Sequence, residues 1–447
     1  MIQSSVSKET FLAEFARLEK EAFKTEPDWL LPLRKSAIAK FSELGFPTTR
    51  HEEWRYTNVA PIAETSFRSG EKDVDRISDR DVAGICFCTE TPCRLVFVNG
   101  FFAEKLSSTG DLPANTKAMS LTAAMREHSA ILEPHLGRHA RFNDQSFVAL
   151  NTALMRDGAF IHVPRGVVCE RPIHVIHVST SSSEPIVSHM RTLIVADANS
   201  QVAVVESFVG LGEGAYFVNA VTEIAAAENA VIDHYKIQRE TDASYHMGAV
   251  FLHQYRSSNV KSHTVTFGGG LIRNDVDTVL DGEGCDSNMY GLYLVTDDQH
   301  VDSHLHVEHV QPHCNSRQYY KGVLEGNSRG IFSGRIYVHK GAQKTDAKQT
   351  NMSLLLSRDA HVECKPQLEI FADDVKCTHG ATIGQIDDEA MFYLCSRGIS
   401  RDAAKSLLVY AFARQNLNEI AIEPLRAQLE KLLLARLPQG KLLQEAV

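Results

Sequence analysis

From Gly158 to Ile386 the sequence carries no helical periodicity, and this constrains the fold more than any motif. Short β-rich runs alternate with Gly, Asn, Ser and Asp turns, as in residues 160–178, 191–209 and 260–270. Asn199, Asn229 and Asn259 recur 30 residues apart, each before a strand-like run. Looser copies of the unit lie at 282–294, 326–338 and 357–370. Self-similarity at this period, with strands and no helices, predicts a β-solenoid whose coils stack through backbone hydrogen bonds. Asn suits the corners because it tolerates a left-handed backbone. An irregular sandwich with coincidental spacing is the alternative.

The flanks are helical. Phe11, Leu12, Phe15, Leu18 and Ala22 follow Ser7, a candidate N-cap, and Pro27 ends that helix. A second helix spans about 33–44, with Gly45 as its stop. Residues 47–62 are polar and aromatic, and 66–82 read as a loop. Asn99-Gly100 predicts a hairpin between runs at 94–98 and 101–106. Helical spacing returns at 121–156, through Phe147, Leu150 and Leu154. After Ile386, Asp387 and Asp388 cap a short helix that Gly398 ends. Ser400 caps a longer one with the stripe Ala404, Leu407, Leu408, Ala411 and Phe412. A last helix spans about 423–437. The layout is thus a mostly helical 1–157 with one hairpin, a solenoid at 158–386 and a helical 387–447.

At ~150 residues per domain, 447 residues allow two or three domains. A net charge of −10 argues against sequence-independent binding to nucleic acid. No run of 18 apolar residues exists, so no membrane span is expected. The first fifteen residues lack the apolar stretch of a secretory signal. Nine scattered cysteines, an odd number, form no disulfide framework and point to the reducing cytoplasm.

Twenty histidines make metal binding worth testing. They are densest at 300–314. On a strand, Asp302, His304, His306 and Glu308 share one face, with His309 and Cys314 close by, and two histidines with a carboxylate are a common ligand set. A solvated strand face over an apolar core gives the same alternation. Cys86, Cys88 and Cys93 lack the second half of a zinc or iron–sulfur motif. Gly268-Gly269-Gly270 is a turn, and neither a P-loop nor a G-x-S-x-G is present. Cys377 and His379 are two apart and so face the same way on a strand, where Lys376 could favour the thiolate. Two ligands do not complete a site, so the rest must come from elsewhere in the chain or from a partner. Paired carboxylates at Asp373-Asp374 or Asp387-Asp388 raise a second reading, a β-helix carbohydrate-active enzyme. Adjacent aspartates on a strand point to opposite faces, which weakens it.

Around this segment the sequence resembles the SufB/SufD family of iron–sulfur cluster assembly proteins. The resemblance is carried by Lys344-Thr345-Asp346, Gln349-Thr350-Asn351, residues 365–370, 372–377 and 379–382, Phe392-Tyr393-Leu394 and Ser396-Arg397-Gly398-Ile399. His51-Glu52-Glu53-Trp54-Arg55-Tyr56-Thr57, Val307-Glu308-His309, Pro312 and Cys314 to Gly322 agree as well. It implies a right-handed parallel β-helix flanked by N- and C-terminal helical regions, mainly β in class. It implies a non-catalytic scaffold that pairs with a SufB-like paralogue and binds a SufC-like ABC ATPase. A transient iron–sulfur cluster, or iron, would be shared at the subunit contact, and a flavin can join the complex. His379 falls on the family's functional histidine and Cys377 on the nearby thiol. Phe392, Tyr393, Arg397, Gly398 and Ile399 fall in the region that docks the ATPase. Where SufB carries Gln-Cys-Asp-Ser, this chain reads Gln349-Thr350-Asn351-Met352, which favours the SufD branch and an incomplete site on one subunit. Self-pairing in the absence of the paralogue is a further expectation.

Overall fold

A computed structural model describes residues 3–70, 77–87, 93–110, 112–180 and 184–440. The head contains helices α1 (Gln3–Glu21), α2 (Leu30–Leu44), α3 (Ala60–Glu64), α4 (Asp79–Ile85), α5 (Leu121–Glu127), α6 (Ser129–Leu132) and α7 (Ser146–Leu154). Between them lie short strands β1 (Arg68–Ser69), β2 (Cys93–Val98), β3 (Phe101–Phe102), β4 (Ser108–Thr109) and β5 (Lys117–Ser120). The helix α1 begins at Gln3, so Ser7 lies inside it rather than capping it. Gly45 ends α2 with φ 63°, as expected. Asn99 and Gly100 both take positive φ in the β2–β3 hairpin, although residues 104–106 form a 3-10 turn rather than strand. The loop expected at 66–82 contains β1 and the start of α4, whose Ser78 and Asp81 form a capping box. Residues 71–76 of that loop, and Cys88, lie outside the described residues.

The body is a parallel β-solenoid of two stacked sheets. The first sheet takes β6 (Ala159–Val163), β8 (Ile186–Ala196), β10 (Tyr216–Ala226), β12 (Ser244–Gln254), β14 (Leu271–Leu280), β16 (His300–His309), β18 (Arg329–Val338) and β20 (His361–Ile370). The second takes β7 (Ile173–Thr180), β9 (Gln201–Leu211), β11 (Val231–Arg239), β13 (Asn259–Phe267), β15 (Asp286–Val295), β17 (Asn315–Leu324), β19 (Asp346–Leu355) and β21 (Lys376–Gly384). Each strand pairs in parallel with the strand two further along the chain, so one coil contributes one strand to each sheet. Strands make up 41% of the chain and helices 26%, a mainly β protein with helical ends.

Left-handed residues recur at one corner: Asn199, Asn229, Ser257, Gly284, His313 and Lys344, at intervals of 27 to 31 residues. Each donates its backbone N–H to the next coil, from Asn199 to Glu228 O (2.9 Å) through to His313 on Gln343 O (2.9 Å) and Lys344 on Asp374 O (2.7 Å). The expectation for Asn259 needs correction: Ser257 turns that corner, and Asn259 opens β13. The coil there is two residues shorter, which shifts the asparagine into the strand.

The lumen between the sheets is apolar along one half, through Ile194, Val204, Ile224, Ile232, Val250, Val260, Leu305 and Val307. The helices α1, α2 and α7 cover the outer face of the first sheet through Phe11, Phe41, Phe147 and Phe217. The tail helices α8 (Asp388–Ser396), α9 (Arg401–Leu417) and α10 (Glu423–Ala435) follow β21, and α9 and α10 cover the second sheet. The caps at Asp387 and Ser400 are as expected. Leu417, Leu425, Leu429 and Leu433 are buried against that sheet, each contributing roughly 2 kcal/mol.

The stripe expected on α9 holds in part: Ala404 is buried, and Leu407 and Phe412 pack, partly buried, against the second-sheet core. The helix's buried face runs through Ala404, Ser406, Val409, Tyr410, Ala413, Asn416 and Leu417, and Ala411 is exposed. Polar anchors set this rotation. Asn416 meets His263 Nε2 at 2.6 Å and donates to the carbonyls of Gly291 (3.0 Å) and Tyr319 (3.1 Å). Lys321 Nζ donates to Phe412 O (2.9 Å) and Gln415 Oε1 (2.6 Å).

Candidate functional site

The solenoid ends in two edge strands, β20 in one sheet and β21 in the other. In-register pairing sets Cys377 beside Ala347 and His379 beside Gln349. Ala347 and Gln349 are both buried, so Cys377 and His379 share the lumen-side face of the last rung. No further coil covers them: His379 is exposed and Cys377 half-buried. Ile370, Phe371 and Ile383, exposed by 39%, 56% and 47%, add an apolar surface to the same end.

His379 sits at the end of a column of stacked lumen positions, most of them polar. Beneath it Gln349 Nε2 donates to Gln318 Oε1 at 2.5 Å, and the same rung positions continue through Met289 and Ser262 to His234. His234 bonds Ser262 Oγ (3.1 Å) and the buried Glu206 carboxylate (2.8 Å). Thr192 and Thr222 also donate to Glu206, at 2.6 and 2.8 Å. Burial opposes its charge, but the His177 and His234 hydrogen bonds hold the carboxyl well below the usual range. Gly334 leaves space for this column, since a Cβ there would lie 1.9 Å from Gln349 Nε2.

The expected activation of Cys377 by Lys376 is corrected. Burial pushes the thiol's pKa up, and Asp346 adds to this, while a backbone hydrogen bond at Ala347 partly opposes it. At neutral pH the group is a thiol, packed beside Ile336, Val338 and Ala347.

The residues expected at 300–314 diverge. His304 lies 3.0 Å from Asp302 and 3.4 Å from Glu53, while His306 lies 3.4 Å from Asp277. Glu308 takes His339 at 2.7 Å. His309 points inward to Ser316 Oγ (2.9 Å), and burial lowers its pKa to about 4. Cys314 is buried at a corner, 3.1 Å from Gly282 O. Among the described residues, no three His, Cys, Asp or Glu side chains form a metal-holding group.

What Asp302 and His304 build is a clasp, which sequence reasoning missed. Asp302 accepts from Thr57 Oγ1 (2.6 Å) and Arg273 Nη1 (3.1 Å). Arg273 also donates to Glu53 O (2.6 Å), and its guanidinium lies 3.8 Å over the Trp54 ring. Burial would lower the His304 pKa, but the Asp302 charge outweighs it and raises the value to about 9. Segment 52–57 is thereby pinned to the outer face of the first sheet, beside a cavity of about 190 Å³ lined by Glu53, Tyr56, His304, Cys364 and Lys365. The dense mixture of charged and aromatic residues at 51–56 was the available signal.

Asp374 is an ion-pair partner of Lys344, and Asp387 caps α8 through the amides of Glu389 (2.8 Å) and Ala390 (3.3 Å). On α8, Phe392 and Tyr393 are exposed by 74% and 57%, and Arg397 lies 5.2 Å over the Tyr393 ring. Gly398 ends the helix with φ 88°, and Ile399 follows, half-buried.

This geometry defines a class: a parallel β-solenoid whose last rung is left open and carries an imidazole and a thiol. Residues 177–412 match the family described as SUF system FeS cluster assembly, SufBD core domain, and residues 5–175 match the SufBD protein N-terminal region. The chain belongs to the SufBD family. It is 32% identical over 417 residues to an iron–sulfur cluster assembly SufBD family protein of Synechocystis, covering 91% of each chain. It is 31% identical to the iron–sulfur cluster assembly protein SufD of Escherichia coli, covering 94% of this chain and 96% of that one. The SufD of Bacillus subtilis is 27% identical, covering 90% and 93%. No helix among the described residues is long and apolar enough to cross a membrane.

Proposed function

We propose that this chain is a non-catalytic scaffold subunit for iron–sulfur cluster assembly in the cytoplasm. It pairs with a SufB-like paralogue through its last coil and binds a SufC-like ABC ATPase through its tail. His379, with Cys377, contributes to a cluster-building or iron-entry site shared across the subunit contact. The carrying observation is the uncovered rung, where His379 stands on an edge strand among exposed Ile370, Phe371 and Ile383. Unpaired strand edges are satisfied by pairing with another edge, and two such ends give a continuous sheet. A second copy of this chain is the substitute partner when the paralogue is absent. Phe392, Tyr393 and Arg397, with Gly398 and Ile399, supply the ATPase contact, since large exposed aromatic groups beside an arginine are typical interface anchors. The cluster, or iron, is cargo here, and any flavin belongs to the assembled complex.

The test is anaerobic cluster reconstitution on the complex co-purified with SufB- and SufC-like proteins. His379→Ala should leave complex formation intact and lower the cluster yield at least several-fold. An unchanged yield removes His379 from the mechanism. An acidic polysaccharide cleaved by the purified chain alone would favour the carbohydrate-active reading.

A further inference from the structure

The head holds a cavity of about 830 Å³ where α1 meets β1, the β2–β3 hairpin and the start of β8. Phe11, Leu18, Phe67, Leu154 and Val187, all buried, wall it. Volumes of roughly 300–1,000 Å³ with apolar walls and a few placed polar groups are typical of small-molecule sites. Two polar groups here have no counterpart within the chain.

The first is His189, which lines the cavity from β8. Asn219 Nδ2 donates to Phe147 O at 2.9 Å and to His189 Nδ1 at 3.1 Å, so Nδ1 carries the lone pair. Burial keeps the ring neutral by lowering its pKa to about 3, and its one proton is therefore on Nε2. That nitrogen is buried and has no hydrogen-bond partner in the fold. A buried donor of this kind is costly until an acceptor reaches it. The Phe11 ring stands at 77° to the imidazole, centroids 5.9 Å apart, and gives the cavity an aromatic wall beside it.

The second is Arg156. The other arginines lining the cavity are neutralised, Arg17 by Glu14 and Glu21, and Arg68 by Glu184. No carboxylate among the described residues pairs with Arg156, which is exposed and whose guanidinium lies 5.0 Å over the Phe101 ring. A guanidinium offers a carboxylate two parallel hydrogen bonds. A neighbouring cavity shares Phe101 and Arg156, but among the described residues lining it none has an unpartnered buried side-chain atom.

We propose that the first cavity binds a small organic anion with a planar apolar body, its anionic group paired with Arg156 and an inner acceptor bonded to His189 Nε2–H. The site belongs to the head of the chain and does not depend on the assembly reading.

The test is fluorescence titration of the full chain near neutral pH with dansylglycine, which carries a naphthalene body, sulfonyl acceptors and a carboxylate. Dansylamide, the same body without the carboxylate, is the neutral control. Dansylglycine should bind one site with a Kd below about 0.1 mM, and dansylamide about tenfold or more weaker. Arg156→Gln should bring dansylglycine to the level of dansylamide and leave dansylamide unchanged, a response that a merely structural role would not give. His189→Phe, which keeps a flat ring and loses the donor, should weaken both probes several-fold. Ala13 is exposed on α1 and lines the cavity, so Ala13→Trp should fold normally and exclude both probes. His379→Ala should bind both as the wild type does. Absence of saturable dansylglycine binding, or equal affinity for the two probes, would overturn the proposal. So would unchanged binding in Arg156→Gln, His189→Phe or Ala13→Trp, or binding lost with His379→Ala.

Discussion

Raising the pH should loosen the clasp that holds segment 52–57 on the solenoid. His304 titrates near 9 when folded and near 6.5 when free. Its folded pKa is raised, so its contribution is complete below 6.5 and disappears as pH climbs through about 9. Between those limits the folded state binds one more proton than the unfolded state. Stability then falls by ~1.4 kcal/mol per pH unit, or about 3 kcal/mol in all. The side chain is only 15% exposed, so solvent screening removes little of this. The chain has two tryptophans, and Trp54 lies under Arg273 inside the clasp. In a Trp29→Phe background, Trp54 fluorescence and acrylamide quenching therefore report the segment directly. Urea unfolding from pH 6.5 to 9.5 should show the wild type losing about 3 kcal/mol relative to His304→Gln. Parallel curves for the two proteins would refute the reasoning. Asp302 acts on the acid side: its carboxyl is held below the usual range despite burial, by the charges of His304 and Arg273. Its contribution is present above the ordinary carboxylate range and is lost as pH falls through that depressed value.

Asn416→Leu should destabilise the tail by about 3 kcal/mol, because it strands His263 and two strand carbonyls; faster protease cleavage within 401–435 is the readout. Glu206→Ala should cost about 3–5 kcal/mol in urea unfolding, since it leaves His234 and two threonine hydroxyls unpaired inside the lumen. Ser257→Asn should gain roughly 0.5 kcal/mol, because asparagine accepts the left-handed corner more readily than serine; a lower melting temperature would contradict the corner ladder. Cys377→Ser should shift the melting temperature by no more than a degree or two, as the group lies half-buried on an uncovered rung.

The solenoid was legible because its constraint is local and repeated. A left-handed residue is needed once per coil, and Asn199 and Asn229 advertise it, while Ser257, His313 and Lys344 meet the same need without a sequence signature. The hairpin at Asn99-Gly100 and the caps at Asp387 and Ser400 were equally visible, each being fixed by its own side chain or φ. The face of α9 was legible only in part. Hydrophobicity pointed to Leu407, Leu408 and Phe412, yet the helix turns Asn416 inward because the groups at His263, Gly291 and Tyr319 need a polar partner. That requirement lies about a hundred residues or more away in the chain. The column of lumen positions from His234 to His379 was hidden for the same reason. Its members sit one per coil, 27 to 31 residues apart, and only the register stacks them. Cys377 and His379 share a face because a strand alternates, which any reader of the sequence can derive. Their exposure follows from something no local pattern encodes: the stack stops after β21, and the tail helices cover the flank of the second sheet rather than its end. A solenoid buries each rung only by adding the next, so its final rung presents a lumen face of interior type to solvent. This places residues of interior chemistry, such as a thiol and an imidazole above a glutamine ladder, where a neighbouring chain can reach them.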